Sequence, residues 1–324
     1  SEATERSPDE DLQFLADGLI NLALSPVDGR TLVVTKFRGS SFRSGQHSMA
    51  ITGTGAQVFP KLIPANFRTA FKTEKLSFGV EGLDDLLVGG LERGTVTILT
   101  GPSGAGKTTL GLRFVVEAVS RGERAVAYTF SEEPEIMLQR AEALAIPARR
   151  MVESKAMGLV KVEPLRFSPD EFAAMVRHEV EVEKTRVILL DSVAGYRLSL
   201  RGADLISHLH ALTTYLQNMG VVVVMINELE TVSGEFRATE VGASYLADNI
   251  LFMRYIELHN DGEVELRKGI GVLKKRLTDF DRRMREISFH DDGIRVSAPL
   301  SGISSILGVL PTWNGKYSQK PRES

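Results

Sequence analysis

Cysteine is absent from all 324 residues. That excludes disulfide frameworks, thiolate zinc sites and thiol nucleophiles, and it is compatible with a reducing compartment. No sign of charge dominates: the formal net charge is −3 and the isoelectric point is near 6.1, so nothing pulls the chain generally toward nucleic acid. Long apolar runs are missing too. The longest, such as Val221 to Ile226, fall far short of the ~20 residues that cross a bilayer. The opening stretch, Ser-Glu-Ala-Thr-Glu-Arg-Ser-Pro-Asp-Glu, is polar and acidic, the opposite of a signal peptide. A cytoplasmic location and no membrane contact are therefore expected. The six histidines are scattered, and His208 and His210, two apart on a helical pattern, fall on different faces, so no metal-ligand spacing is present.

What remains is the composition of an ordinary globular protein, 43% hydrophobic and 25% charged, long enough for one large domain or two smaller ones. Its strongest signal is Gly101-Pro102-Ser103-Gly104-Ala105-Gly106-Lys107-Thr108-Thr109, with the G-x-x-x-x-G-K-[ST] spacing of a phosphate-binding loop. Thr95 to Thr100 before it reads as a buried β-branched strand. Thr108 to Ser120 after it carries Leu110, Phe114, Val115 and Val119 at helical spacing. Strand, glycine turn and helix N-terminus together make an anion site. Backbone N–H groups can close around a β-phosphate, Lys107 can reach the β- and γ-phosphates, and the Thr108 hydroxyl can ligate Mg²⁺. A nucleoside triphosphate ligand is expected.

An internal repeat shapes the domain count. Leu15-Ala16-Asp17, an apolar run, Asp28-Gly29, a strand-like Thr31 to Thr35 and Lys36-Phe37-Arg38 recur as Leu246-Ala247-Asp248, an apolar run, Asp261-Gly262, a strand-like stretch and Lys274-Lys275-Arg276. Each copy ends in a strand around a glycine, Gly55 or Gly293. The offset grows from 231 residues at Leu15/Leu246 to 238 at Lys36/Lys274, a domain-sized period. Residues 1–62 thus read as the closing piece of a first domain and 63–75 as a linker. Residues 76–300 read as a complete domain, and 301–324 as a tail whose Ile303, Ile306, Leu307 and Leu310 are apolar enough to dock. Residues 1–10 are expected to be disordered. In the complete domain, apolar strands at Ala125 to Phe130, Val187 to Leu190 and Val221 to Ile226 alternate with helical patterns. One helix opens on the Ser168-Pro169-Asp170-Glu171 capping box, and another runs Leu205, Leu209, Leu212, Leu216, Met219 to a stop at Gly220. This predicts an α/β fold, a mainly parallel sheet with helices on both faces and antiparallel strands at the C-terminal edge.

Several strand ends carry candidate chemistry. Asp191 closes a buried strand, where it can hold Mg²⁺ beside the loop. Glu132 and Glu133 follow the Ala125 strand, so either can polarise the water that attacks a γ-phosphate. Asn227, at the end of the Val221 strand, is a candidate γ-phosphate sensor. Lys274 and Arg276, two apart on a strand, share one face. Two like charges there make most sense opposite an anion, such as a phosphate presented by a neighbouring subunit.

Gly82-Leu83-Asp84-Asp85-Leu86-Leu87, Gly89-Gly90-Leu91, the loop Gly101 to Thr109, Phe130-Ser131-Glu132-Glu133-Pro134 and Leu190-Asp191-Ser192 together resemble the KaiC family of RecA-like P-loop ATPases. The resemblance runs from about Leu15 to Trp313 and accounts for the repeat. It implies a RecA-like fold, ATP and Mg²⁺ as ligands, and homo-oligomeric, hexameric rings with ATP at the subunit interfaces. It further implies hydrolysis in which the K-x-R pair acts on the neighbour's nucleotide, and clock or signalling partners. Lys107, Thr108, Glu132, Glu133, Asp191, Lys274 and Arg276 match those roles. Clock members autophosphorylate an adjacent Ser-Thr pair before the aspartate matched here by Asp248. Ser244-Tyr245 stands there, with Thr239 upstream, so Ser244 and Thr239 are the phosphorylation candidates, and the tyrosine departs from a two-site cycle. Two competing readings are a RecA/RadA-type DNA-dependent ATPase, with Arg282, Arg283 and Arg285 as its basic surface, and an ATP-gated scaffold with little turnover.

Overall fold

The computed structural model describes residues 14–202, 204–229, 245–260, 263–303, 311–313 and 315–317. The phosphorylation candidates Ser244 and Thr239, the N-terminal stretch 1–10 and most of the tail, Ile306, Leu307 and Leu310 included, lie outside the described residues.

The chain opens with four antiparallel strands, β1 (Gly18–Ser25), β2 (Gly29–Phe37), β3 (Gln46–Thr52) and β4 (Gly55–Phe59), paired in sequence order. Two-strand β5 (Lys75–Leu76) and β6 (Leu91–Glu92) flank helix α1 (Glu81–Leu86). The main sheet follows: β7 (Val96–Pro102), β8 (Ala125–Thr129), β9 (Met157–Lys161), β10 (Val187–Asp191), β11 (Val222–Leu229) and β12 (Asn249–Asn260). These six run parallel in the order β12-β7-β11-β10-β8-β9. Antiparallel β13 (Glu263–Lys275), β14 (Arg285–His290) and β15 (Gly293–Ser301) extend the β12 edge, and short β16 (Thr312–Trp313) and β17 (Lys316–Tyr317) finish it. The expected mixed sheet is present. The unexpected member is β9, which covers the far parallel edge.

Strand periodicity divides the core in two. Side chains alternate across a sheet, so Val187 and Leu189 of β10 enter one cluster while Ile188 and Leu190 enter the other. Helices α2 (Lys107–Ser120), α3 (Pro134–Glu142) and α4 (Ala148–Glu153) cover the first face through Leu110, Phe114, Leu138 and Ala148. Helices α5 (Pro169–Glu181), α6 (Val193–Ser199) and α7 (Leu205–Asn218) cover the second through Phe172, Val176, Tyr196 and Leu212. Burying an aromatic such as Phe114 or Phe172 fully is worth about 3 kcal/mol each. The capping box forms as the sequence predicts. Ser168 Oγ accepts from Glu171 N at 3.2 Å, and Glu171 Oε2 accepts from Ser168 N at 2.6 Å.

The two sequence copies are also copies in space. Leu19 pairs with Lys36 across β1 and β2, and Ile250 pairs with Lys274 across β12 and β13; each hairpin then bulges at the next residue, before Ile20 and before Leu251. Their environments differ. The positions matching Ile20, Leu22, Leu32 and Val34 are Leu251, Met253, Ile270 and Val272, all in the first core. Ile20, Leu22 and Leu24 are instead 55%, 64% and 73% exposed. The β1–β4 sheet touches the larger unit through its other face, where Ser48 N and Oγ donate to Asp170 Oδ2 at 3.3 and 3.1 Å.

Residues 63–75 are mostly exposed, but Pro64 and Phe67 contact the larger unit. Phe67 meets Tyr215 edge-to-face at 5.2 Å, Arg177 lies over the Phe67 ring, and Asn218 Nδ2 donates to Pro64 O at 3.1 Å.

Candidate active site

Parallel register brings the carboxyl ends of four strands into one crevice. Asp191 lies beside Thr129 on one side and Ile226 on the other, and Glu228 lies beside Gly101. Above these ends is a cavity of about 430 Å³ lined by loop residues Ser103, Gly104, Gly106, Lys107, Thr108 and Thr109, by Glu132, Arg140, Asp191 and Glu228, and by Lys268 and Phe289. Gly101, Pro102 and Ala105 shape the loop from behind. A Cβ at Gly101 would stand 2.5 Å from Met253 O. Gly106, at φ +104°, holds a left-handed conformation that a side chain resists, and the Phe289 ring occupies the space a Cβ would take.

Lys107 is buried, and its Nζ donates to Pro102 O at 2.7 Å. Burial pushes its pKa down, opposed by the charges of Glu228 and Asp191. Asp191 is the counterpart. Burial pushes its carboxyl up, the hydrogen bond from Thr108 pulls it down, and the Glu132 charge pushes it up again. A desolvated carboxylate already bonded to the loop threonine is a donor pair suited to Mg²⁺.

The two adjacent glutamates separate. Thr129 Oγ1 accepts from Glu132 N and donates to Glu132 O, at 3.2 and 2.7 Å, pinning the turn. Glu132 then lines the cavity, its carboxylate held by Arg140 at 2.6 Å. Glu133 points away, pairing with Lys161 at 2.8 Å with 64% of its side chain exposed. Asn227 is also displaced from its expected role. β11 runs on to Leu229, three residues past the sequence reading, and Asn227 faces the second core, its Nδ2 donating to Thr100 Oγ1 at 3.1 Å. Its neighbours Ile226 and Glu228 take the cavity side. Asn227, the sensor candidate, is thus not among the residues lining the cavity, whereas Glu228 is.

Three more residues reach the loop without having been anticipated. Tyr255 Oη donates to Ser103 O at 3.1 Å, Lys268 Nζ donates to Gly104 O at 2.9 Å, and Phe289 lies against Gly106 with Lys268 over its ring. They arrive from β12, β13 and β14, and no local motif marks them.

Lys274 and Arg276 are not in this crevice. β13 ends beside Asn249, which pairs with Thr97, so the pair stands four residues down β7 from Gly101, roughly 13 Å of strand. β13 stops at Lys275, so Arg276 lies just past the strand rather than on it: Lys274 Nζ donates to Ala247 O at 2.5 Å and Arg276 Nη1 to Asp248 Oδ1 at 3.2 Å. Lys275 points the other way, fully buried against Glu92 at 2.7 Å. The arginines of the nucleic-acid reading are neutralised: Arg282 pairs with Asp279, Arg283 with Asp281, and Arg285 with Asp281 and Asp85.

Sheet order, loop and strand-end carboxylates define a RecA-like P-loop nucleotide-binding domain. A profile of the KaiC ATPase family matches residues 76–301, and the chain belongs to that family. It is 24% identical over 304 residues to the circadian clock oscillator protein KaiC of Picosynechococcus sp., covering 93% of this chain and 58% of the relative. With the protein of the same name from Synechococcus elongatus it shares 24% identity over 304 residues, covering 93% and 57%. With that of Prochlorococcus marinus it shares 22% over 302 residues, covering 92% and 60%. The chain thus spans less than two thirds of the length of these relatives. No described helix is long and apolar enough to cross a membrane.

Proposed function

We propose that the chain hydrolyses ATP with Mg²⁺ in a homo-oligomeric ring, hexameric as the family resemblance implies, with each nucleotide held between two copies. The observation that carries this reading is the division of the site along β7. Lys107, Thr108, Asp191 and Glu132 gather at one end, and Lys274 and Arg276 at the other. A copy cannot bring its own K-x-R pair to its own loop, but a neighbour can. The loop amides and Lys107 would bind the β- and γ-phosphates, and Glu132 would orient and deprotonate the attacking water. Thr108 and Asp191 would hold Mg²⁺, which when bound offsets the charge of the phosphate oxygens. Tyr255, Lys268 and Phe289 would wall the nucleotide in cis. The test is sedimentation and phosphate release with Mg·ATP. Assembly that depends on nucleotide, with turnover rising as copies associate, is expected; concentration-independent turnover by a monomer would refute the ring.

Residues 14–62 are read as the closing sheet of a preceding ATPase domain. The shared register and bulge support this, as does an apolar face that is open here and buried in the second copy. In that case Lys36 and Arg38 would serve a different loop. A regulatory role in the cytoplasm, with clock or signalling proteins as partners, extends this reading; of it, the relatives' names carry only the circadian clock. Autophosphorylation is its finest element. After incubation with Mg·ATP, mass spectrometry is expected to find phosphate on Ser244 or Thr239, and a chain that turns over ATP yet stays unmodified would reduce the protein to an ATPase alone.

A further inference from the structure

We infer that Asp248 is a positioning residue for the Arg276 finger, an assignment that rests on the reading of Lys274 and Arg276 as groups serving a neighbouring copy. Asp248 is 5% exposed, and its two carboxylate oxygens do different things. Oδ2 is tied into the domain, accepting from Val96 N at 3.0 Å and from Gln217 Nε2 at 2.6 Å. Oδ1 faces outward and accepts from Arg276 Nη1 at 3.2 Å. The oxygen that meets the finger is thus anchored through its twin to the first residue of β7 and to the end of α7.

Arg276 needs such an anchor. Its side chain is 62% exposed, and Asp248 is its carboxylate partner among the described residues. A guanidinium on a flexible stem samples many rotamers, and aiming it beforehand removes that cost when it meets an anion. One Nη1 contact leaves the other donors of the fork open for phosphate oxygens. The carboxylate also moderates repulsion between the neighbouring charges of Lys274 and Arg276. The first copy repeats the arrangement independently. Asp17, at the matching position, stands 3.6 Å from Arg38, whose N–H donates to Asp17 O at 2.7 Å.

The experiment separates the finger a copy donates from the loop it owns. An acceptor chain, Arg276→Ala, keeps its loop. A donor chain, Glu132→Gln, lacks the water-activating carboxylate and keeps its finger. Mixed, the two are expected to restore ATP turnover by at least ~10-fold over either alone, given that arginine fingers contribute ~10³-fold or more. Adding Asp248→Asn to the donor is expected to cut the restored turnover by about 10-fold, and adding Gln217→Leu, which removes one of the two anchors of Oδ2 and keeps Val96 N, to cut it in the same direction by less. The melting shift of the Asp248→Asn chain with Mg·ATP, which reads its own loop, should persist. If Asp248→Asn does not melt cooperatively, Asp248→Glu replaces it, keeping the charge and displacing the carboxylate by one methylene. Equal restoration by donors with and without the Asp248 change overturns the assignment and leaves the trans reading standing. No restoration by the unmodified donor overturns the trans reading itself.

Discussion

Lys107→Met should reduce ATP turnover by about 10³-fold or more, since it removes the cation that follows the γ-phosphate through the transition state. It should do so without lowering the melting temperature of the nucleotide-free protein. Lys107 is a buried ammonium whose partner is the carbonyl of Pro102, and burial holds its pKa below the ordinary lysine value. A charged form disfavoured by folding subtracts from stability, and methionine fills the same stem volume without the charge. Asp191→Asn should behave likewise, with a pH signature. Burial raises the Asp191 pKa above its ordinary 3.8, so the folded state holds that proton more tightly than the unfolded chain. The group's contribution to stability therefore falls as pH rises from below 3.8 through the raised folded value. The nucleotide-free Asp191→Asn protein should gain on the wild type across that window and keep its advantage above it. With Mg·ATP the order should reverse. Differential scanning fluorimetry across pH, with and without Mg·ATP, reads both effects. A nucleotide-free Lys107→Met or Asp191→Asn protein that melts well below wild type would mean these groups stabilise the fold, contrary to their burial.

The second large effect belongs to the middle residue of Lys274-Lys275-Arg276. Lys275 Nζ sits at 2.7 Å from Glu92 Oε1, and donates to Leu87 O at 2.7 Å and to Thr278 Oγ1 at 2.6 Å, with its side chain fully buried. Despite the cost of burial, hydrogen bonds from Lys275 and Thr278 hold the Glu92 carboxyl below the usual range. Removing one partner strands the other: Lys275→Ala should cost about 3–5 kcal/mol, measured by urea unfolding. Lys275→Met with Glu92→Leu should recover most of that, because an apolar pair of similar volume avoids both desolvation penalties. A double variant no more stable than Lys275→Ala would show that the surrounding hydrogen bonds, to Leu87 and Thr278, carry the site instead. Acid should act on this pair in the wild type: stability from the lowered Glu92 pKa is present above the ordinary carboxylate range and lost as pH falls through the folded value.

The parts of the fold with local causes were legible in the sequence. The β7–loop–α2 unit has its apolar strand, its glycines and its helical stripe in one continuous stretch, and the Ser168 capping box is local by nature. The strand reading of Lys274-Lys275-Arg276 reached one residue too far, because β13 ends at Lys275. Single-residue choices at strand ends were less accessible. Asn227 and Glu228 differ by one position, and one position inverts the face of a strand; the outcome depends on β11 continuing to Leu229. Glu132 and Glu133 are resolved by the Thr129 hydroxyl clamping the turn, a contact with no pattern in the sequence. Tyr255, Lys268 and Phe289 were out of reach for another reason. They meet the loop across about 150 residues or more of chain, and only the pairing of β12 with β7 brings them there.

If, as proposed, each loop is served by the Lys274 and Arg276 of a neighbouring copy, lesions would spread with a direction. Contacts of this kind are heterologous: the surface a copy offers differs from the surface it receives, so a closed assembly has a direction of circulation. In such an assembly a copy without Lys107 silences its own site, whereas a copy without Arg276 silences the site of one neighbour and keeps its own. Doped into wild-type protein at equal fractions, each lesion removes the same number of sites. A chain carrying both removes two sites in separate places when isolated, and the number falls back toward one per copy only as doubly altered copies become adjacent. The curvature of activity against doping fraction would therefore report head-to-tail order without any image of the assembly.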